Sequence, residues 1–233
     1  MSSLRALAAA AAGALALAGA MAAGGGAAAA HEPPAAPDPP AMMDFVPPAP
    51  GTYQLHAIMP SPDGPVLDAR GRRAPLARFT RDKITVLSFI YTGCADARGC
   101  PLAYQVLHTM YDRLRESPDL RERVRLVTLS FDPAHDTPAV MRRYANGVLA
   151  DKSPGVEWAF LTTASTRELM PLLDGFGQDV RLEPGPHGTK APRLGHVLKV
   201  FLIDPRGVVR EIYTTSYLFP DVLLNDIETL RLE

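Results

Sequence analysis

Cys94 and Cys100 are the only two cysteines in this chain of 233 residues. They lie in the stretch YTGCADARGCPLAY, residues 91–104, each with a neighbouring glycine and the second followed directly by Pro101. Three chemistries are open to such a pair. A disulfide can staple the loop, two thiols can exchange with a client disulfide, or two thiolates can hold a soft metal ion. A staple over so short a loop gains little closure entropy, and a domain of this size does not need one. The spacing also differs from the Cys-x-x-Cys of dedicated thiol-disulfide oxidoreductases. Two sulfurs with one imidazole suit copper, because thiolate favours Cu(I) and imidazole also accommodates Cu(II), whereas zinc calls for a fourth ligand.

The chain has six histidines. His56 precedes the core, and His31 and His187 lie in Pro- and Gly-rich segments. His108 stands two helical turns beyond Cys100, His135 lies in DPAHDTP, and His196 follows a long loop. Spacing alone does not choose a ligand among them.

The elements that must position these groups are legible in the hydrophobic pattern. ITVLSFIY (84–91) predicts a buried central strand, ending at the cysteine loop. From Pro101 the apolar residues recur at helical spacing, so Cys100 falls at a helix N-terminus, where its pKa is expected to drop. VRLVTLSF (124–131) predicts a second strand. Thr137 and Pro138 then open a helix running to about Val148. A strand over 156–162, a helix over 166–176, a loop over 183–194, a hairpin from 196–204 and 208–214, and a helix from Pro220 complete the order. The pattern implies an α/β fold: a thioredoxin-like mixed sheet flanked by helices, with a C-terminal β-hairpin and closing helix.

Ahead of this domain (51–233) stand two segments of different composition. Residues 1–22 combine Arg5, an Ala/Leu run and an A-x-A site, the layout of a signal peptide or an uncleaved signal anchor. Residues 23–50 are rich in Pro and Ala and read as a flexible linker, within which His31, Met42 and Met43 are the soft-metal donors. The expected location is therefore the cell envelope, periplasmic, secreted or anchored, where disulfides persist. With 24 basic against 25 acidic residues and no basic run, nucleic acid is excluded as an expected partner.

Three blocks, VLSFIYTGC…CP, SFDPAHDTP and GHVLKVFLIDPRG, resemble in order and spacing the Sco/SenC family. The resemblance spans about residues 52–232 and implies a thioredoxin-fold copper protein that helps assemble the dinuclear copper site of cytochrome c oxidase. By position, Cys94, Cys100 and His196 match the family's copper ligands, and Asp132 and Asp136 its acidic turn beside the site. The implied role is a metallochaperone rather than an enzyme, with an apo oxidase copper subunit or another copper or thiol client as partner. A monomer is expected, because nothing in the sequence marks a large apolar interface. The alternative is a thiol-disulfide oxidoreductase using the same Cys94–Cys100 pair; a third class is a sensor or interaction domain with a structural disulfide. Two departures stand out. The family's three-residue cysteine loop is five residues here (95–99), and Gly195 stands where an aspartate commonly precedes the histidine.

Overall fold

The computed structural model describes residues 43–94, 96–151, 155–183 and 193–233. The signal-like segment, most of the linker with His31 and Met42, and His187 lie outside them. The centre is a mixed eight-stranded sheet built on two parallel β-α-β units. In chain order the first elements are β1 (Met59–Pro60), β2 (Pro65–Asp68), β3 (Arg73–Pro75), α1 (Ala77–Thr80) and β4 (Ile84–Ile90). Next come α2 (Cys100–Glu116), α3 (Pro118–Arg123), β5 (Val124–Ser130), α4 (Pro138–Tyr144), α5 (Asn146–Ala150), β6 (Glu157–Thr162) and α6 (Thr166–Phe176). The chain ends with β7 (Val180–Glu183), β8 (Arg193–His196), β9 (Val200–Ile203), β10 (Val208–Tyr213) and α7 (Pro220–Leu232). The sheet order is β1-β10-β9-β4-β5-β6-β2-β3, with β4, β5 and β6 parallel and the β9–β10 hairpin joining antiparallel beside β4.

Every residue of β4 and β5 is buried, which explains why both read as continuous apolar runs rather than alternating ones. One face packs Val86, Ile90 and Leu126 against α2 and α7 through Leu107, Met110, Leu114, Leu223 and Ile227. The other packs Leu87, Phe89 and Leu129 against α6 through Leu172, Leu173 and Phe176. Thr137 caps α4 by accepting from the Val140 amide, as its position before Pro138 predicts.

Four features differ from the sequence reading. A short hairpin, β2–β3, occupies the edge beyond β6; its PVLD and RAP strands carry too few apolar residues to register as periodic. The helix expected to run to Val148 ends at Ala145 and restarts as α5. The short helix α3 fills the turn between α2 and β5. Most consequential, His196 does not open the late hairpin. It ends β8, which pairs only with β7 in a separate two-stranded ribbon.

Residues 43–53 run along α7. Phe45 meets the rings of Tyr217 and Phe219 at 6.2 Å each, and the Pro48 carbonyl accepts from Asn225. Gly51 donates its amide to Thr229 Oγ1; a Cβ there would stand 2.8 Å from Leu232 Cδ1, and its positive φ suits glycine alone. Tyr53 donates to Asp226 Oδ1 at 2.5 Å, and buried Tyr213 donates to Oδ2 at 2.6 Å. Burial and the bond to Asp226 push the Tyr53 phenol up to about 12. Asp226→Ala leaves the Tyr213 hydroxyl buried without its acceptor and should lower stability by about 1–3 kcal/mol. Tyr53→Phe, removing a half-exposed partner, should cost less; urea unfolding of both variants checks the order.

Candidate metal centre

The two cysteines stand at the C-terminal mouth of the parallel strands, where β4 gives way to α2. Their loop is closed by its own backbone. The Cys94 amide donates to the Tyr91 carbonyl at 3.2 Å, and the Gly99 amide to the Asp96 carbonyl at 2.9 Å. The exposed Asp96 side chain accepts from the Arg98 amide at 3.1 Å, a local turn bond within the loop. Thr215, just after β10, donates to the Arg98 carbonyl and ties the loop to the segment leading into α7.

The base of the loop is held by Asp136, which is 1% exposed. Its carboxylate accepts from the Thr92 amide at 3.0 Å, from the Thr92 hydroxyl, and from the Ser130 hydroxyl at 2.5 Å. A buried carboxylate is tolerated only with such a set of donors. Asp136 therefore joins the ends of β4 and β5 without touching a sulfur or His196. Asp132 instead accepts from His135, at 2.8 Å, and His135 is largely exposed. His108 bonds to Tyr104 at 3.0 Å among aromatic rings, and His56 is exposed. None of these three histidines joins the cysteines.

His196 does. Its Nε2 stands 3.7 Å from Cys100 Sγ, bridging 96 positions of sequence. The Nδ1–H donates to the Leu194 carbonyl at 3.3 Å, which assigns the tautomer and leaves the Nε2 lone pair facing the sulfur. The ring rests against Phe131 at 4.7 Å and Tyr91 at 6.0 Å. Leu194 thus supplies the orienting acceptor that an aspartate at Gly195 would otherwise offer. A first-row ion bound at roughly 2.3 Å to sulfur and 2.0 Å to nitrogen would hold those two atoms about 3.5–3.7 Å apart. The spacing observed fits that arrangement. Among the described residues no group of three or more His, Cys, Asp or Glu side chains is placed to hold a metal ion. The structure brings Cys100 and His196 together and hydrogen-bonds Cys94 to Cys100.

The ribbon bearing His196 has its own anchors. Gly177 ends α6 in the left-handed conformation, and the Gln178 amide returns to the Leu173 carbonyl. Gln178, 4% exposed, then donates its side-chain amide to the Val197 carbonyl at 2.9 Å, one residue beyond the histidine. No spacing marked Gln178 or Leu194 beforehand. One acts through a fold-dependent backbone contact, and the other is a carbonyl that any residue type would provide.

Both cysteines are free thiols. The expectation that Cys100 would be the acidic one is reversed. A hydrogen bond from the Cys100 thiol, with the amides of Cys100 and Asp96, brings the Cys94 thiol down to about 5. Donating that bond, together with burial, pushes Cys100 up. Backbone amides at the helix start do favour a thiolate at Cys100, but the bond it donates to Cys94 and its burial outweigh them.

The SCO1/SenC family model matches residues 66–231, and the chain belongs to that family. Solved structures agree in fold. The apo Sco1 protein of Thermus thermophilus is 25% identical, covering 77% of this chain and 95% of its own, with a TM-score of 0.60. Copper-bound ScoI of Arabidopsis thaliana is 18% identical over 74% of this chain and 99% of its own, also at 0.60. BsSco, described as having a disulfide switch and as a member of the Sco family of cytochrome c oxidase assembly proteins, is 20% identical over 76% and 98%, at 0.57. No curated protein sequence matches significantly.

In reduced protein, alkylation of Cys94 should rise with pH to half its maximal rate near pH 5, while Cys100 stays unreactive. Because the bond from Cys100 lowers the Cys94 value, Cys100→Ala should move that midpoint upward. Mass-spectrometric rates across a pH series give the reading; an unmoved midpoint would assign the effect to the amides instead.

Proposed function

We propose that this protein is a copper chaperone of the cell envelope, with copper as its cargo and Cys94, Cys100 and His196 as the ligands. The observation that carries the reading is the meeting of Cys100 Sγ and an oriented His196 Nε2 across the fold, beside a second free thiol. Membership in the SCO1/SenC family and the copper-bound relative support it. The client is an apo oxidase subunit that receives a dinuclear copper site, in line with the assembly role given for BsSco. Residues 1–22 direct or anchor the chain, and the part of 23–50 ahead of the arm packed along α7 tethers the domain. Among the described residues no helix is long and apolar enough to cross a membrane.

In this reading Cys100 and His196 form the inner pair and Cys94 the outer ligand. Both thiols must be reduced to load copper, so a Cys94–Cys100 disulfide is the unloaded state. Asp136 keeps the loop base in place for loading, and Asp132 fixes the adjoining turn.

A second reading has one specific support, the split between an acidic outer thiol and a proton-holding inner one. Such a pair suits attack by Cys94 on a client disulfide and resolution by Cys100. Anaerobic titration of the reduced protein with Cu(I) and Cu(II) separates the two. The chaperone reading expects one ion per chain and a sulfur-to-copper charge-transfer band, with affinity in His196→Ala reduced by about 10–100-fold, as loss of a ligand or its support commonly does. Absence of stoichiometric binding, with fast reduction of a model disulfide, would favour the oxidoreductase.

A further inference from the structure

A cleft of about 590 Å³ lies between the β2–β3 turn and the α4–α5 pair, floored by the first half of β6. It is far along the sheet from the cysteines. Glu157 begins β6, which runs parallel to β4, so the floor of the cleft is at the opposite strand end from Cys94. The volume falls in the range of small-molecule sites, roughly 300–1,000 Å³. Its origin is topological. β5 pairs with β6 from Glu157 to Leu161, but β2 reaches only Leu161 and Thr162, so the start of β6 is left uncovered by a strand on that side.

The charges around this opening are not balanced. Its two carboxylates are already engaged. Asp68 accepts from the Arg70 and Arg72 amides, both at 2.9 Å, and from Arg72 Nε at 2.7 Å. Glu157 pairs with Arg125 at 3.0 Å and Lys83 at 3.4 Å. Two further guanidinium groups line the cleft without a carboxylate partner among the described residues. Arg142 donates one nitrogen to the Ala69 carbonyl at 3.1 Å, and Arg70 pairs with no acid. Phe79 and Leu149 give the walls an apolar character, and Leu149 is 43% exposed.

We propose that this cleft binds a small amphiphilic oxyanion: a carboxylate or phosphate group carried on a flat apolar body. Arg70 and Arg142 grip the anion, guanidinium being matched to such oxygens by its planar fork of donors. Phe79 and Leu149 pack the body. Both residues are exposed, so a neutral ligand gains nothing from their charge, and a cation would be repelled by them. The ligand's source is either a soluble metabolite or the headgroup of an anionic lipid.

The chain carries its own reporter, because its single tryptophan, Trp158, lines the cleft. Titration of the whole protein with phenyl phosphate should change Trp158 emission saturably, whereas benzyl alcohol should not. The double variant Arg70→Gln, Arg142→Gln should weaken the response by at least about tenfold, the loss expected for charge-assisted bonds to an anion. Leu149→Glu, at an exposed position, should weaken it too and guards against a folding defect in the double variant. A phenyl phosphate response without retention on phosphatidylglycerol vesicles assigns a soluble ligand; retention that phenyl phosphate competes away assigns a lipid headgroup. Unchanged emission with no vesicle retention, or variants that respond as the parent does, would overturn the proposal.

Discussion

The carboxylate of Asp136 is the constraint on which the candidate metal centre depends. A buried charge of this kind is destabilising by several kcal/mol unless donors surround it. Here the donors come from Thr92, at the foot of the cysteine loop, and Ser130, at the end of the neighbouring strand. Satisfying the charge and fixing the loop are therefore one event. The cysteine loop inherits its base from the sheet, and Cys100 at its end is buried in the core with Cys94 packed against it.

Opposite that loop base stands a second, separately paired piece. His196 rides on a two-stranded ribbon outside the main sheet, held by Gln178, by the Leu194 carbonyl on its ring and by the faces of Tyr91 and Phe131. The cysteines and the histidine thus belong to different pieces of the fold, with Val180 and Leu194 packing the ribbon onto the core.

Much of this was legible beforehand, and the reasons for the rest are physical. The fully buried strands β4 and β5 announce themselves as apolar runs, and α2, α6 and α7 by spacing and by proline or serine at their starts. Thr137 and Pro138 fixed the start of α4 by chemistry that acts within a few residues. The β2–β3 edge escaped because its strands bury little, and the β7–β8 ribbon because its pairing bridges a long Gly- and Pro-rich stretch. Motif resemblance singled out Cys94, Cys100 and His196, and the fold brings Cys100 and His196 into contact. Which thiol is acidic was misread, since that turns on which thiol donates its hydrogen bond to the other in the folded loop.

The arm along α7 has a geometric consequence. It reaches the domain at Phe45, against Tyr217, two residues from the Thr215 that holds the cysteine loop. From there it descends the helix to Gly51, beside Leu232. The point where the preceding chain takes hold and the loop that presents Cys94 are consequently at the same end of the domain. The separation between Phe45 and the cysteine loop is set by packed side chains: the rings of Phe45 and Tyr217, and the bond from Thr215 to the Arg98 carbonyl.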